Sequence, residues 1–234
     1  MRFWSYLLVA LFAESCSHTT NKAVNFIDKD QVQVDVAPAS TQEDSKFYVP
    51  KIKFDTEVSS ATVNETLAIM SQVTRGGAKA IIIEINTPGG EVESGFRLSK
   101  AIEESPIPVI CVVDGMSASM GMYILESCQV RLMSKRSSLM VHEAAIGVGE
   151  FSGPAVQWQT IADLLKAINK GMAEHLAKRM HLTAPQILDI IRGGAQWWFG
   201  WEEAIRVGAV DSAVDSVKEV TTSYRECLAT TCQP

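Results

Sequence analysis

Pro108-Val109-Ile110-Cys111-Val112-Val113, followed after Asp114 by Gly115-Met116-Ser117-Ala118-Ser119-Met120-Gly121, is the stretch from which the fold is read. Its first part is an unbroken apolar run, the composition of a strand covered on both faces in a parallel sheet. The residues that follow, Met120 to Leu125, are apolar as well and suit the opening of a buried helix. A serine therefore stands where a strand turns into a helix, and unpaired backbone N–H groups there favour a developing negative charge. This makes Ser119 a candidate nucleophile. Ser117 and Ser119 equally suit small residues packed in a tight turn or capping the helix, and this segment alone leaves both readings open.

Two further segments bear on that choice. Ala80-Ile81-Ile82-Ile83-Glu84-Ile85 reads as another buried strand, and Asn86-Thr87-Pro88-Gly89-Gly90 ends it with residues that turn the chain and let backbone approach a ligand. The N–H groups of Gly90 and Met120 can then form an oxyanion hole. A third apolar strand ends in Leu139-Met140-Val141-His142-Glu143; a lone histidine beside a strand is usually structural, but at the end of a strand neighbouring a candidate nucleophile His142 is a candidate general base.

The order Asn-x-Pro-Gly-Gly, Ala-Ser-Met-Gly, Met-Val-His resembles the proteolytic subunit of the Clp protease, the ClpP type of serine peptidase, over roughly residues 47–217. The resemblance implies an α/β fold, a crotonase-like spiral of ββα units with a long handle-like helix. It implies Ser119 as nucleophile, His142 as base, and Gly90 with Met120 as oxyanion donors. It also implies a peptide or unfolded-protein substrate, a homo-oligomeric ring and no cofactor. Relatives of that fold carry out acyl-CoA chemistry, so the fold alone does not give the function.

One position departs from the family pattern. An aspartate is expected ahead of the segment that here reads Gln196-Trp197-Trp198-Phe199-Gly200-Trp201-Glu202-Glu203-Ala204, and alignment on Glu203-Ala204 puts Gln196 in its place. A glutamine carbonyl can accept the Nδ1–H of His142 and fix its tautomer, but it does not stabilise the imidazolium as a carboxylate does. Asp189, one or two helical turns earlier, is the alternative acid. Glu143, adjacent to the base on its own strand, points to the opposite face.

Strand and helix signals alternate through the rest of the domain, as stacked ββα or βαβ units require. Tyr48 to Phe54 reads as the first strand, made irregular or an edge by Pro50. Ser59 to Arg75 reads as a helix ended by Gly76-Gly77, and Phe96, Leu98 and Ile102 mark another that Pro106 closes. The longest helical pattern runs from Pro154 to Met180, with Ile161, Leu164, Leu165, Ile168, Met172, Leu176 and Met180 on one stripe. From its residues this stripe covers its own sheet; the resemblance makes it the handle through which two rings meet. His175 and His181 read as structural or solvated, and no cluster has metal-ligand spacing.

Two other functions fit parts of the pattern. A Ser–Lys peptidase like the signal peptide peptidase A family would draw its base from Lys166, Lys170 or Lys178, although most lysines on such a helix are solvated. A catalytically degenerate ring-forming scaffold or peptide-binding protein would be consistent with Gln196.

A chain of 234 residues can bury one sizeable core, and a formal charge of −6 leaves no basic footprint, which argues against nucleic acid as a partner. Arg2 and the apolar run Phe3 to Ala13 suit a signal segment over 1–15, with Cys16 as a lipidation site. A polar tether over 16–46 and a polar carboxyl-terminal tail over 218–234 would flank the domain. The expected address is exported, as a bacterial periplasmic or envelope lipoprotein. A cytoplasmic address is the alternative, and only there would an unfoldase ATPase be a partner. Cys111 and Cys128 read as inert core thiols, whereas Cys227 and Cys232 would bridge in an oxidising compartment and stay as thiols in a reducing one.

Overall fold

A computed structural model describes residues 48–146 and 154–231, with side chains to Tyr224, and the backbone of 32–35. The signal segment, Cys16 and Cys232 lie outside the described residues.

The chain alternates strand and helix along a mostly parallel sheet. Strand β1 (Val32–Asp35) runs antiparallel to β2 (Lys51–Phe54), and β2 is parallel to β3 (Ile81–Thr87), which is parallel to β4 (Val109–Ala118). Helix α1 (Ser60–Arg75) connects β2 to β3, and α2 (Val92–Glu103) connects β3 to β4. The start of α1 is fixed by a capping box: Ser59 Oγ accepts from the Thr62 N–H while Thr62 Oγ1 accepts from the Ser59 N–H. β1 falls inside the stretch expected as a polar tether, so that stretch adds a strand to the sheet.

Strand β4 is long because it serves two partners on one edge. Its first half pairs with β5 (Val130–Ser134) from Ile110 to Val113, and its second half pairs with β6 (Ser138–Val141) from Met116 to Ala118. On its other edge the register with β3 shifts between Ile85 and Thr87. The chain leaves β4 through α3 (Met120–Glu126) to reach β5, so the end of β4 stands at a fork in the sheet. Strand β7 (Trp197–Phe199) runs antiparallel to β6, and β8 (Ser212–Val214) is parallel to β5.

Burial alternates along β3 and β4 between two cores, as the two-residue period of a strand demands. Ile81, Ile83, Ile85, Val109, Cys111 and Val113 enter the larger one. Ile82, Ile110 and Val112 enter the smaller one on the opposite face. That second face is covered by α7 (Val217–Thr231), whose Val217, Val220 and Tyr224 are buried against it. The polar tail expected beyond residue 217 is therefore corrected to a packed helix, with three inward positions at helical spacing.

The long helix α4 (Ala155–Leu176) ends four residues before the expected Met180, and Pro154 is its N-cap residue. Met172 and Leu176 of its apolar stripe are buried, but Leu164 is 53% exposed. After it come α5 (Ala184–Ile191) and α6 (Trp201–Arg206).

The reading of Cys111 and Cys128 as separate thiols is also corrected, because they form a disulfide with their Cα atoms 5.9 Å apart. The register Ile110↔Val130 explains it: α3 is short, and the chain entering β5 returns alongside the start of β4.

Candidate active site

Ser119 occupies the one-residue corner between β4 and α3, and it is the single non-glycine residue with positive φ among those described (φ 55°, ψ −117°). An L-residue held there is strained and persists only where its surroundings over-determine it. Two backbone bonds do so: the Ser119 N–H donates to the Met140 carbonyl of β6, and its own carbonyl accepts from the Met122 N–H. Although Ser119 is the N-cap residue of α3, its hydroxyl makes no cap bond. Instead Oγ lies 2.8 Å from Nε2 of His142. The hydroxyl is therefore paired with a histidine and does not cap the helix. Ser117, two residues back, is fully buried with its hydroxyl unpaired.

His142 follows the last paired residue of β6. Parallel pairing of β6 with β4 puts Met140 opposite Ala118, so Ser119 comes beside Val141 and His142 follows one residue on at the fork. Both Ser119 and His142 are partly exposed at the mouth of a narrow apolar crevice walled by Met172, Ala173, Ile187 and Ile191.

The diglycine turn lies directly over this corner. Asn86 ties it down: its Oδ1 accepts from the Met116 N–H at 3.0 Å and its Nδ2 donates to Asp55 Oδ1 at 2.7 Å. A Cβ on Gly89 would fall 2.6 Å from Ser119 Cβ and 2.9 Å from the Met120 nitrogen, so only glycine permits this approach. The Gly89 carbonyl and the Glu91 N–H both bond Val58. Successive peptide groups of an extended chain point to opposite sides, which leaves the Gly90 N–H facing away from Val58. Among the described residues neither the Gly90 nor the Met120 N–H has an acceptor.

The third position is different. Gln196 is exposed and its Oε1 accepts from the Trp198 indole N–H at 3.1 Å, not from His142. Asp189 pairs with Arg192 on the outer face of α5. Helix geometry dictates this, because Ile187 and Ile191 point into the crevice and the residue midway between them is turned about 200° from each. Glu143 accepts from the Gly194 N–H at 2.9 Å. No carboxylate or amide oxygen hydrogen-bonds His142 Nδ1 among the described residues. The lysines do not supply a base: Lys166 pairs with Asp163, Lys170 with Glu174, and Lys178 lies beside a different crevice next to Arg179.

Behind α3 lies a buried polar cluster that sequence reading missed. Glu126 at the end of α3 is 3% exposed and bonds Arg131 Nη1 at 2.5 Å, while Arg131 Nη2 reaches Asp211. Burial pushes the Glu126 carboxyl up to about 8, outweighing the opposite pull of Arg131 and Arg179. His175 stacks on Tyr123 at 3.9 Å and Nε2 lies within 3.2 Å of Ser127 Oγ. Burial lowers its pKa, which fits the structural role expected of it. No group of three or more His, Cys, Asp or Glu side chains among the described residues could hold a metal ion.

Comparison with known proteins gives the chain's family. The ATP-dependent Clp protease proteolytic subunit 3 of Rhodococcus jostii is 31% identical over 142 residues, covering 60% of this chain and 68% of that protein. Subunit 2 of Tropheryma whipplei is 30% identical over 133 residues, 56% of this chain and 71% of its own length. Subunit 1 of Streptomyces avermitilis is 25% identical over 169 residues, 70% and 75% of the two chains. A family profile described as Clp protease matches residues 42–217, three-quarters of the sequence, and the chain accordingly belongs to the Clp protease family.

Proposed function

We propose that this peptidase-family chain is a serine endopeptidase that hydrolyses peptide bonds through Ser119 and His142. The observation that carries the reading is the 2.8 Å contact between Ser119 Oγ and His142 Nε2 at a strained strand–helix corner. His142 Nε2 takes the hydroxyl proton as Oγ attacks the scissile carbonyl carbon, then returns it to the leaving amine. The oxygen of the tetrahedral intermediate is held by the N–H groups of Gly90 and Met120. Neither Gln196 nor Asp189 is assigned a role in orienting the base.

Self-assembly accompanies this activity. The amino-terminal half of α4 exposes Val156 (68%), Trp158 (42%) and Leu164 (53%), apolar surface that a second copy of the chain would cover. An exported address is supported by the apolar run after Arg2 and by the Cys111–Cys128 disulfide, since such bonds persist in oxidising compartments. Among the described residues no helix is long and apolar enough to cross a membrane.

The experiment is active-site labelling with a fluorophosphonate. Wild-type protein should be modified at Ser119, and Ser119→Ala should be neither labelled nor able to cleave a short unstructured peptide, with its oligomeric state unchanged. A wild-type protein that binds peptide but is not labelled would instead identify a non-catalytic scaffold.

A further inference from the structure

On the reading that His142 is the base, we propose that Asn169 of α4 is the positioning residue that holds it in register. Strand pairing ends one residue before the histidine: Met140 is the last β6 residue opposite β4, and Val141 the last opposite β7. His142 therefore stands outside the ladder, with no sheet bond on its own peptide to fix its Cα–Cβ direction. The next fixed point of the backbone is two residues on, where the Ala144 N–H donates to Asn169 Oδ1 at 2.7 Å. A segment tethered at Val141 on one side and Ala144 on the other leaves His142 little freedom to swing.

Asn169 is well placed to be that tether. It lies three and four residues before Met172 and Ala173, hence on the same face of α4, and with them it walls the crevice that contains Ser119 and His142. Met172, Ala173 and Leu176 are buried, so the helix beneath the amide is immobilised by packing. Asparagine is among the weaker residues for a helix interior, and here its side chain answers a backbone donor of another segment. The other side of the same segment is held by Glu143, whose carboxylate accepts from the Gly194 N–H.

In a conventional triad an acid fixes the imidazole ring through Nδ1. His142 has no such partner among the described residues, so the remaining constraints on the ring are its own backbone, the crevice walls and the bond to Ser119. Loss of the Asn169 acceptor removes one of these and leaves the rest. Misplacement of a catalytic group by about 1 Å costs on the order of 100-fold in rate.

The test compares Asn169→Ala, which lacks an acceptor, with Asn169→Asp, which keeps one. Rates of fluorophosphonate labelling at Ser119 and peptide-cleavage kinetics are read together with thermal unfolding. Asn169→Ala should lower kcat and the labelling rate by about 10- to 100-fold with KM within twofold. Asn169→Asp should recover most of that loss and Asn169→Leu, similar in size but without an acceptor, should not, whereas a residue serving only to fill space would be rescued by both. Labelling of Asn169→Ala at the wild-type rate, rescue by Asn169→Leu, or equal loss in Asn169→Ala and Asn169→Asp, overturns the proposal while leaving the Ser119 assignment standing. Absence of labelling in the wild-type protein overturns the catalytic reading and this proposal with it.

Discussion

Cys111 and Cys128 are joined through their sulfurs, which fastens β4 to the turn at the far end of α3, so that both elements meeting at Ser119 are tied together behind it. Both residues are fully buried, within the larger core that carries Met120, Met122 and Ile124 of α3.

That bond should contribute measurably to stability. A cross-link closing a loop of this length, with a sequence separation of 17, stabilises by about 3 kcal/mol through restriction of the unfolded chain. The double variant Cys111→Ala/Cys128→Ala should therefore unfold at a lower urea concentration than the oxidised protein. Reductant should leave the native protein oxidised at low denaturant and reduce it once unfolded, because the sulfurs are out of reach of solvent. Coincident urea curves for the oxidised protein and the double variant would remove the disulfide from the account of stability.

A second consequence concerns Glu126. Its carboxyl is raised from an ordinary value of 4.5 to about 8 by burial, so the folded state binds its proton more tightly than the unfolded chain does. Stability from this group is fully present below 4.5 and is lost as pH climbs toward about 8, where both states are ionised. The free energy of unfolding obtained from urea curves should accordingly fall between pH 5 and pH 8, by up to roughly 3 kcal/mol for this one site. In Glu126→Gln the side chain cannot titrate and the slope over that interval should flatten. An unchanged slope in the variant would show that other groups set the pH dependence.

The parts of the molecule legible in its sequence are those encoded by local pattern. The apolar runs at 80–85 and 108–113 are β3 and the first half of β4, and the glycines of Asn86 to Gly90 mark the turn that presses on Ser119. His142 ends an apolar strand, and its Nε2 lies 2.8 Å from Ser119 Oγ. What escaped depends on contacts distant in sequence. Strand β5 carries Arg131 amid apolar residues, and that charge is tolerable only because Glu126 and Asp211 meet it in the fold. Helix α7 reads as polar because three buried positions, Val217, Val220 and Tyr224, are diluted by lysine, glutamate, threonine and serine on its other faces. Asn169 gives no signal at all in a helix until Ala144 is brought against it. The acid expected at Gln196 or Asp189 was an inference from alignment, and side-chain direction overrides it: both project to solvent.

Gly90 offers the most direct test of the oxyanion arrangement. Its φ of 148° is reached readily only by glycine, and a Cβ there would sit 2.2 Å from the Val58 carbonyl oxygen. Gly90→Ala must therefore push the turn away from Val58, breaking the pair of bonds that keeps the Gly90 N–H facing away from Val58. Loss of one oxyanion donor typically costs about 100- to 1000-fold in kcat, so turnover should fall by that order with a much smaller change in KM. Gly193→Ala is the matched control: it also has positive φ, at 72°, but no atom stands within 4 Å of the added methyl. The control should lose about 1 kcal/mol or more of stability and keep its turnover number. If both variants cleave peptide at the wild-type rate, the Gly90 N–H does not bind the oxyanion, and the donor partnered with Met120 must be sought elsewhere around the corner at Ser119.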